Sequence, residues 1–317
     1  VDRSKQFVFR REGLSLILAA VFCLAAPAPA AAQAANSQAK FCTAAQLADS
    51  ARVGQYLFRA YGSDDGACLQ VSQNGKVLLR RAHDGAQQYT LGQPGDPNEN
   101  IPEIPNGADV TGRGQPDVIV SSFTGGAHCC TVHLVFELEP SFKLLATLED
   151  AHDDLAHFAR IGTDRHYYYF TADWTFAYWP SCFACSPSAV VILRFVDDAN
   201  GGGFHLALDK MQAPAPTPAA WQREIRAART AATAGRLDDI GAALWGPVLS
   251  LIYDGHSDLA WKLVEEAGAK AQQKPLPTLA DFCHLLRTSA YWPDLAPSLR
   301  DTPPACASAL SQAPKQP

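Results

Sequence analysis

From residue 55 to residue 208 the chain alternates apolar and polar positions in short runs. Leu69 and Val71 point one way between Cys68, Gln70 and Ser72; Asn74-Gly75 then supplies the positive-φ pair of a tight hairpin, and residues 76–81 return. Further runs at 117–123, 128–138, 142–148, 167–170, 189–196 and 204–208 are set apart by Gly, Pro, Asn and Asp, as expected for strands joined by turns. Residues 92–109 carry so much Pro, Gly and Asn that they read as a loop.

The runs repeat. The strands DVIV, TVHLVFEL and FKLLATLE return as HYYYF, AVVILRFV and FHLALDK, about 50 to 60 residues later, a spacing within the range of propeller blades. With a third unit around residues 67–91 the array is too short for a closed propeller of ~4–8 blades. After Pro214, Pro216 and Pro218 the apolar period changes from 2 to 3.6. Trp221 and Ile225 open a helix, Gly246-Pro247 breaks the next, and Gly255 closes it. Ser257 caps a third helix, and Thr278 with Asp281 forms a capping box for a fourth. The expected fold class is α+β: a disulfide-stapled antiparallel β domain of blade-like units, a partial propeller or sandwich, followed by a small antiparallel helical bundle. The expected divisions are a signal peptide at 1–34, the β domain at 35–212, a linker at 213–220, the helical domain at 221–300 and a flexible tail at 301–317.

Composition adds an address. Arg3, Lys5, Arg10 and Arg11 precede an apolar stretch at 14–26 and an A-x-A site at Ala32-Gln33-Ala34, the pattern of a secretory signal. The stretch is shorter than the ~20 residues that span a bilayer, and bulky Phe22 before Cys23 argues against lipoprotein processing. Cleavage removes Cys23 and turns nine cysteines into eight: Cys42, Cys68, Cys129, Cys130, Cys182, Cys185, Cys283 and Cys306. An exported, periplasmic or secreted protein then holds them in an oxidising compartment. The mature chain is expected to have no transmembrane segment. With 26 basic against 32 acidic residues, a broad nucleic-acid surface is not expected.

The strand alternation and the repeat suggest a pairing. Cys129 and Cys130 fall on opposite faces of their strand, so each is expected to bond toward Cys182 or Cys185 on the neighbouring unit; Cys42 with Cys68 and Cys283 with Cys306 pair locally. Redox chemistry at Cys182-x-x-Cys185, or zinc held by that pair with Cys130 or His128, is the competing use.

Residues 109–117, DVTGRGQPD, resemble the Asp-rich turn of FG-GAP or VCBS repeats. That resemblance implies calcium at Asp109, Thr111 and Asp117, with Gly114 at the glycine position and Arg113 in place of the middle carboxylate; otherwise no cofactor is expected. Without an ion the turn is one in which Asp117 accepts from backbone N–H groups. The TGGAHCC stretch resembles a signature of uncharacterised exported bacterial proteins, which implies kinship and no activity.

Aromatic side chains crowd residues 167–179, among them Trp174, Tyr178 and Trp179. Exposed rings bind sugars or peptides by stacking, whereas strand alternation buries about half of such a set. His128 and His133 flank the cysteine pair, and His152, Asp153, Asp154 and His157 form an acidic, imidazole-bearing turn. No G-x-S-x-G elbow, P-loop or H-E-x-x-H helix is present. The expected role is non-catalytic binding of a protein, peptide or glycan in the cell envelope, with His128, His133, Trp174, Tyr178 and Trp179 as the ligand surface. The alternatives are a hydrolase or other enzyme built on His128, His133 and nearby carboxylates, and a purely structural envelope module.

Overall fold

The computed structural model describes residues 42, 46–64, 66–84, 88–126, 129–150, 152, 155–198, 201–268 and 276–311. The expected signal segment, His128, Asp153, Asp154 and the side chains of Cys129 and Cys130 lie outside that description.

Among the described residues, twelve strands form three four-stranded antiparallel sheets, each a meander in chain order. The first holds β1 (Gln46–Val53), β2 (Tyr56–Ser63), β3 (Gly66–Gln73) and β4 (Lys76–Asp84). The middle sheet holds β5 (Gln88–Leu91), β6 (Asp117–Gly126), β7 (Cys129–Glu137) and β8 (Lys143–Asp150). The third holds β9 (His157–Arg160), β10 (Tyr167–Asp173), β11 (Ala189–Val196) and β12 (Gly203–Leu206). The repeat read from sequence is the correspondence of β6, β7 and β8 with β10, β11 and β12. One expected grouping changes: residues 88–91 leave the first unit and pair with β6, Tyr89 opposite Ser122 and Leu91 opposite Val120. The alternation decides this, since Tyr89 and Leu91 are the inward residues of β5 and enter the core that Val118 and Val120 line.

The middle sheet is covered on both faces, which is why DVIV and VHLVF read as nearly unbroken apolar runs. Val118, Val120, Leu134 and Phe136 face the first sheet, where Phe58, Leu69 and Val71 meet them. Ile119 and Val135, one residue out of phase, join Phe158 and Tyr169 of the third sheet in a second core. Fully burying side chains of this kind contributes roughly 1.5–3 kcal/mol each. Gln93 ties the same two sheets with its amide, which donates to the Phe158 carbonyl at 2.9 Å and accepts from the Phe158 N–H at 2.7 Å.

After a short helix, α1 (Leu208–Met211), the C-terminal region holds α2 (Pro218–Ala234), α3 (Leu237–Ile240), α4 (Gly246–Tyr253), α5 (Ser257–Gly268), α6 (Leu279–Leu286), α7 (Trp292–Leu295) and α8 (Pro304–Ser311). Thr217 caps α2 by accepting from the Ala220 N–H, Gly235 closes it at φ +64°, and the Thr278–Asp281 capping box is present. Gly246-Pro247 does not break a helix. A π-helical turn at Gly241–Trp245 joins α3 to α4, and Pro247 stands in the first turn of α4, where its missing N–H costs least. The expected loose tail is also corrected in part: α8 docks through buried Cys306 and Ala309, and Cys306 is bonded to Cys283. The helices share their core with the third sheet, Val191 and Leu193 lying in one cluster with Leu244, Trp245, Leu249 and Phe282. Among the described residues no helix is long and apolar enough to cross a membrane.

Candidate functional site

The connection between β10 and β11 carries the aromatic residues singled out in the sequence. Asp173, the last residue of β10, accepts from the Thr175 N–H at 2.9 Å and from its hydroxyl at 2.5 Å, which turns the chain at Trp174. At the other end Cys182 and Cys185 are bonded to each other across a single turn of 3₁₀ helix. Ser186 locks the loop onto that turn: its Oγ accepts from the Tyr178 N–H at 2.7 Å and donates to the Cys182 carbonyl at 3.1 Å.

On this frame Trp174 and Phe183 stack with centroids 5.3 Å apart and planes 11° from parallel. Tyr178 lies 5.4 Å from Phe183, and the His152 ring stands edge-on to Phe183 at 4.9 Å and to Trp174 at 5.5 Å. Tyr178 is 57% exposed; Trp174, Phe183 and His152 are half-buried. Trp179 goes elsewhere, packing on Phe176, Trp245 and Phe282 at 5.4 to 6.2 Å. Of the three aromatic residues expected on a ligand surface, Trp174 and Tyr178 come together, joined by Phe183 and His152, whereas Trp179 packs against the helices.

His133 is not part of that surface. It is 5% exposed, because the third sheet covers the face of β7 on which it stands. Its Nδ1 is 2.9 Å from Ser121 Oγ on the neighbouring strand, and its Nε2 is 3.2 Å from Asp150 Oδ2, off line for a hydrogen bond. Asp150, 2% exposed, accepts from the Tyr169 hydroxyl and, at 3.1 Å, from the Thr171 hydroxyl. Ser121, His133 and Asp150 therefore stand in the order of a nucleophile, base and acid. Only Ser121 of the three is less than fully buried.

The strand that supplies Tyr169 and Thr171 continues to Asp173, whose second oxygen accepts from Tyr253 Oη at 2.6 Å and Ser289 Oγ at 2.9 Å. Burial, reinforced by the Asp173 carboxylate, holds the Tyr253 phenol well above its ordinary range. One face of β10 thus binds the middle sheet at one end and the helices at the other.

At the Asp109 turn, Thr111 donates from both its N–H, at 2.9 Å, and its hydroxyl, at 2.8 Å, to Asp117 Oδ2. Gly114 N–H donates to Asp109 at 2.9 Å, and Arg113 approaches Glu137 at 2.9 Å and Asp197 at 3.2 Å. Burial pushes the Asp117 carboxyl up to about 6, with Asp109 adding to the shift. One oxygen each of Asp109 and Asp117 is buried without a hydrogen-bond donor. Two oxygens fall short of the six to eight that calcium takes, so the residues fit the ion poorly.

The cysteine pairing divides. Cys42–Cys68 and Cys283–Cys306 are formed as expected. Cys182 and Cys185 pair with each other, which overturns bridging from them to Cys129 and Cys130: their Cα atoms, 5.2 Å apart on one turn, suit a local bridge. Asp238 offers a carboxylate within 4.8 Å of both sulfurs, but those sulfurs are already bonded. The three disulfides among the described residues fit an oxidising compartment. No family model, curated protein or solved structure matches this chain significantly.

Proposed function

We propose that this chain is an exported binding protein of the cell envelope that recognises a glycan or peptide through the ring cluster of Trp174, Tyr178, Phe183 and His152. One observation carries the reading: four rings lie within 6.4 Å of their neighbours, Trp174, Tyr178 and Phe183 from the β10–β11 connection that holds the Cys182–Cys185 bridge and His152 from the β8–β9 connection, with Tyr178 standing out into solvent. Flat, pre-ordered rings lose little conformational entropy on contact, which is why such residues concentrate binding energy. The fixed loop lowers that cost further. The signal-like N-terminus and the disulfides support the location outside the cytoplasm.

The test is a titration of the chain with chito-oligosaccharides and with aromatic-containing peptides, read by tryptophan fluorescence and calorimetry. Trp174→Ala and Tyr178→Ala are expected to weaken binding at least tenfold with the melting temperature changed little. Trp179→Ala is expected to lower the melting temperature. Equal binding by wild type and both loop variants sinks the proposal.

A second reading has its own observation, the Ser121–His133–Asp150 order, which supports a hydrolase. Ser121→Ala abolishing turnover of a p-nitrophenyl ester, with binding at the rings intact, would favour it.

A further inference from the structure

Between the third sheet and the helices lies a cavity of about 500 Å³, within the range of small-molecule sites. It is distinct from the ring cluster, although Ser186 borders both. Ser186 and Ser188 line it from the loop before β11, Trp221 and Glu224 from α2, and Ser250 and Asp254 from α4 and its end. Gly241 and Ala242 of the π-helical turn also line it. Gly241 there lies so close to the Cys185 carbonyl that a Cβ would collide with it. Such turns are over-represented at functional sites.

The charge in this cavity has one sign. Glu224 and Asp254 are the ionisable groups of its lining, and among the described residues neither carboxylate has an ion-pair or hydrogen-bond partner. Asp254 is half-buried, and desolvation raises its carboxyl pKa, with His256 acting in the opposite sense. That imidazole is engaged elsewhere, 2.7 Å from the Ala213 carbonyl. A metal ion is the poorer occupant. Among the described residues no third carboxylate, histidine or cysteine gathers with this pair within 4.8 Å, and prolines, Ala220 and Leu251 make much of the wall apolar.

We infer that this cavity binds a small organic amine in its ammonium form. Glu224 and Asp254 are the counter-charges, the serine oxygens are acceptors for the remaining N–H groups, and Trp221 offers surface to the apolar body.

The test is calorimetry on the full-length chain at neutral pH with 2-phenylethylamine, and with 2-phenylethanol as its uncharged counterpart. The amine is expected to bind at least tenfold more tightly than the alcohol. Glu224→Gln combined with Asp254→Asn is expected to erase that preference. Glu224→Gln alone, on a helix surface where it disturbs little, is expected to weaken the amine at least threefold. Trp174→Ala is expected to leave amine binding unchanged, so this result and the ring-cluster reading stand or fall separately. The inference is overturned if amine and alcohol bind equally, if neither binds, or if Glu224→Gln binds the amine like wild type. It is also overturned if Trp174→Ala removes binding, or if magnesium competes at those carboxylates in preference to the amine.

Discussion

Tyr178 holds φ at +62°, a left-handed conformation that costs a bulky non-glycine residue on the order of 1–3 kcal/mol. The fold keeps it because Ser186 Oγ holds the Tyr178 N–H and is itself tied to the disulfide turn that follows. Tyr178→Asn, which tolerates that conformation better, is expected to hold or raise the melting temperature while lowering ligand affinity. A drop in both would mean that the ring is structural. Asp117 makes a pH prediction. Its folded pKa of about 6 lies above the ordinary 3.8, so its contribution to stability is fully present below pH 3.8 and is lost as pH rises through 6. The loss is of the order of 3 kcal/mol, at about 1.4 kcal/mol per unit. Chemical denaturation between pH 4 and 7 is expected to show that decline, and Asp117→Asn to flatten it. Calcium bound at the turn would favour the carboxylate and raise stability at pH 7, so the same curves with calcium and with a chelator decide whether an ion sits there.

Among the elements, β10 ties the middle sheet to the helical region. Tyr169 and Thr171 reach Asp150 on β8, and Asp173 receives Tyr253 and Ser289 from the helical region. Removing the carboxylate strands buried donors, whereas trimming one donor leaves others in place. Asp173→Ala is therefore expected to cost about 3 kcal/mol or more and Tyr253→Phe about 1–2 kcal/mol in urea denaturation, at about 1–3 kcal/mol for each buried group left unsatisfied. The disulfides should rank by the length of chain they close. The sequence separation is 3 for Cys182–Cys185 against 26 for Cys42–Cys68 and 23 for Cys283–Cys306. Chain entropy then gives about 2 kcal/mol for the short bridge and about 3.5 kcal/mol for each long one. Paired serine variants compared by thermal melting check the order.

For the molecule as a whole, the shared core matters more than the linker. The third sheet's inward residues and the helices belong to one hydrophobic cluster, so cutting the chain at residue 212 would strip the cover from Val191 and Leu193. A fragment ending there is expected to lose sharp tertiary structure, detected by near-UV circular dichroism, and the intact chain to unfold the third sheet and helices in one transition. Two well-separated calorimetric peaks, one for β10–β12 and one for the helices, would contradict the shared core.

Period and punctuation were enough to find most of the strands, the repeat and the start of the helices, because a side chain's face follows from local spacing alone; β1, β2 and β9 were not among the runs they marked. The Thr278–Asp281 box and the pairs Cys42–Cys68 and Cys283–Cys306 belong to the same local order. What lies across a face is a different matter. The burial of His133, the departure of Trp179 from the ring cluster and the placing of residues 88–91 in the middle sheet each depend on which sheet or helix arrives from far along the chain. The two carboxylates of the cavity stand 30 residues apart on different helices, and no spacing rule joins them. Alternation gives each residue a side; only packing decides whether that side meets solvent, a neighbouring sheet or a cavity.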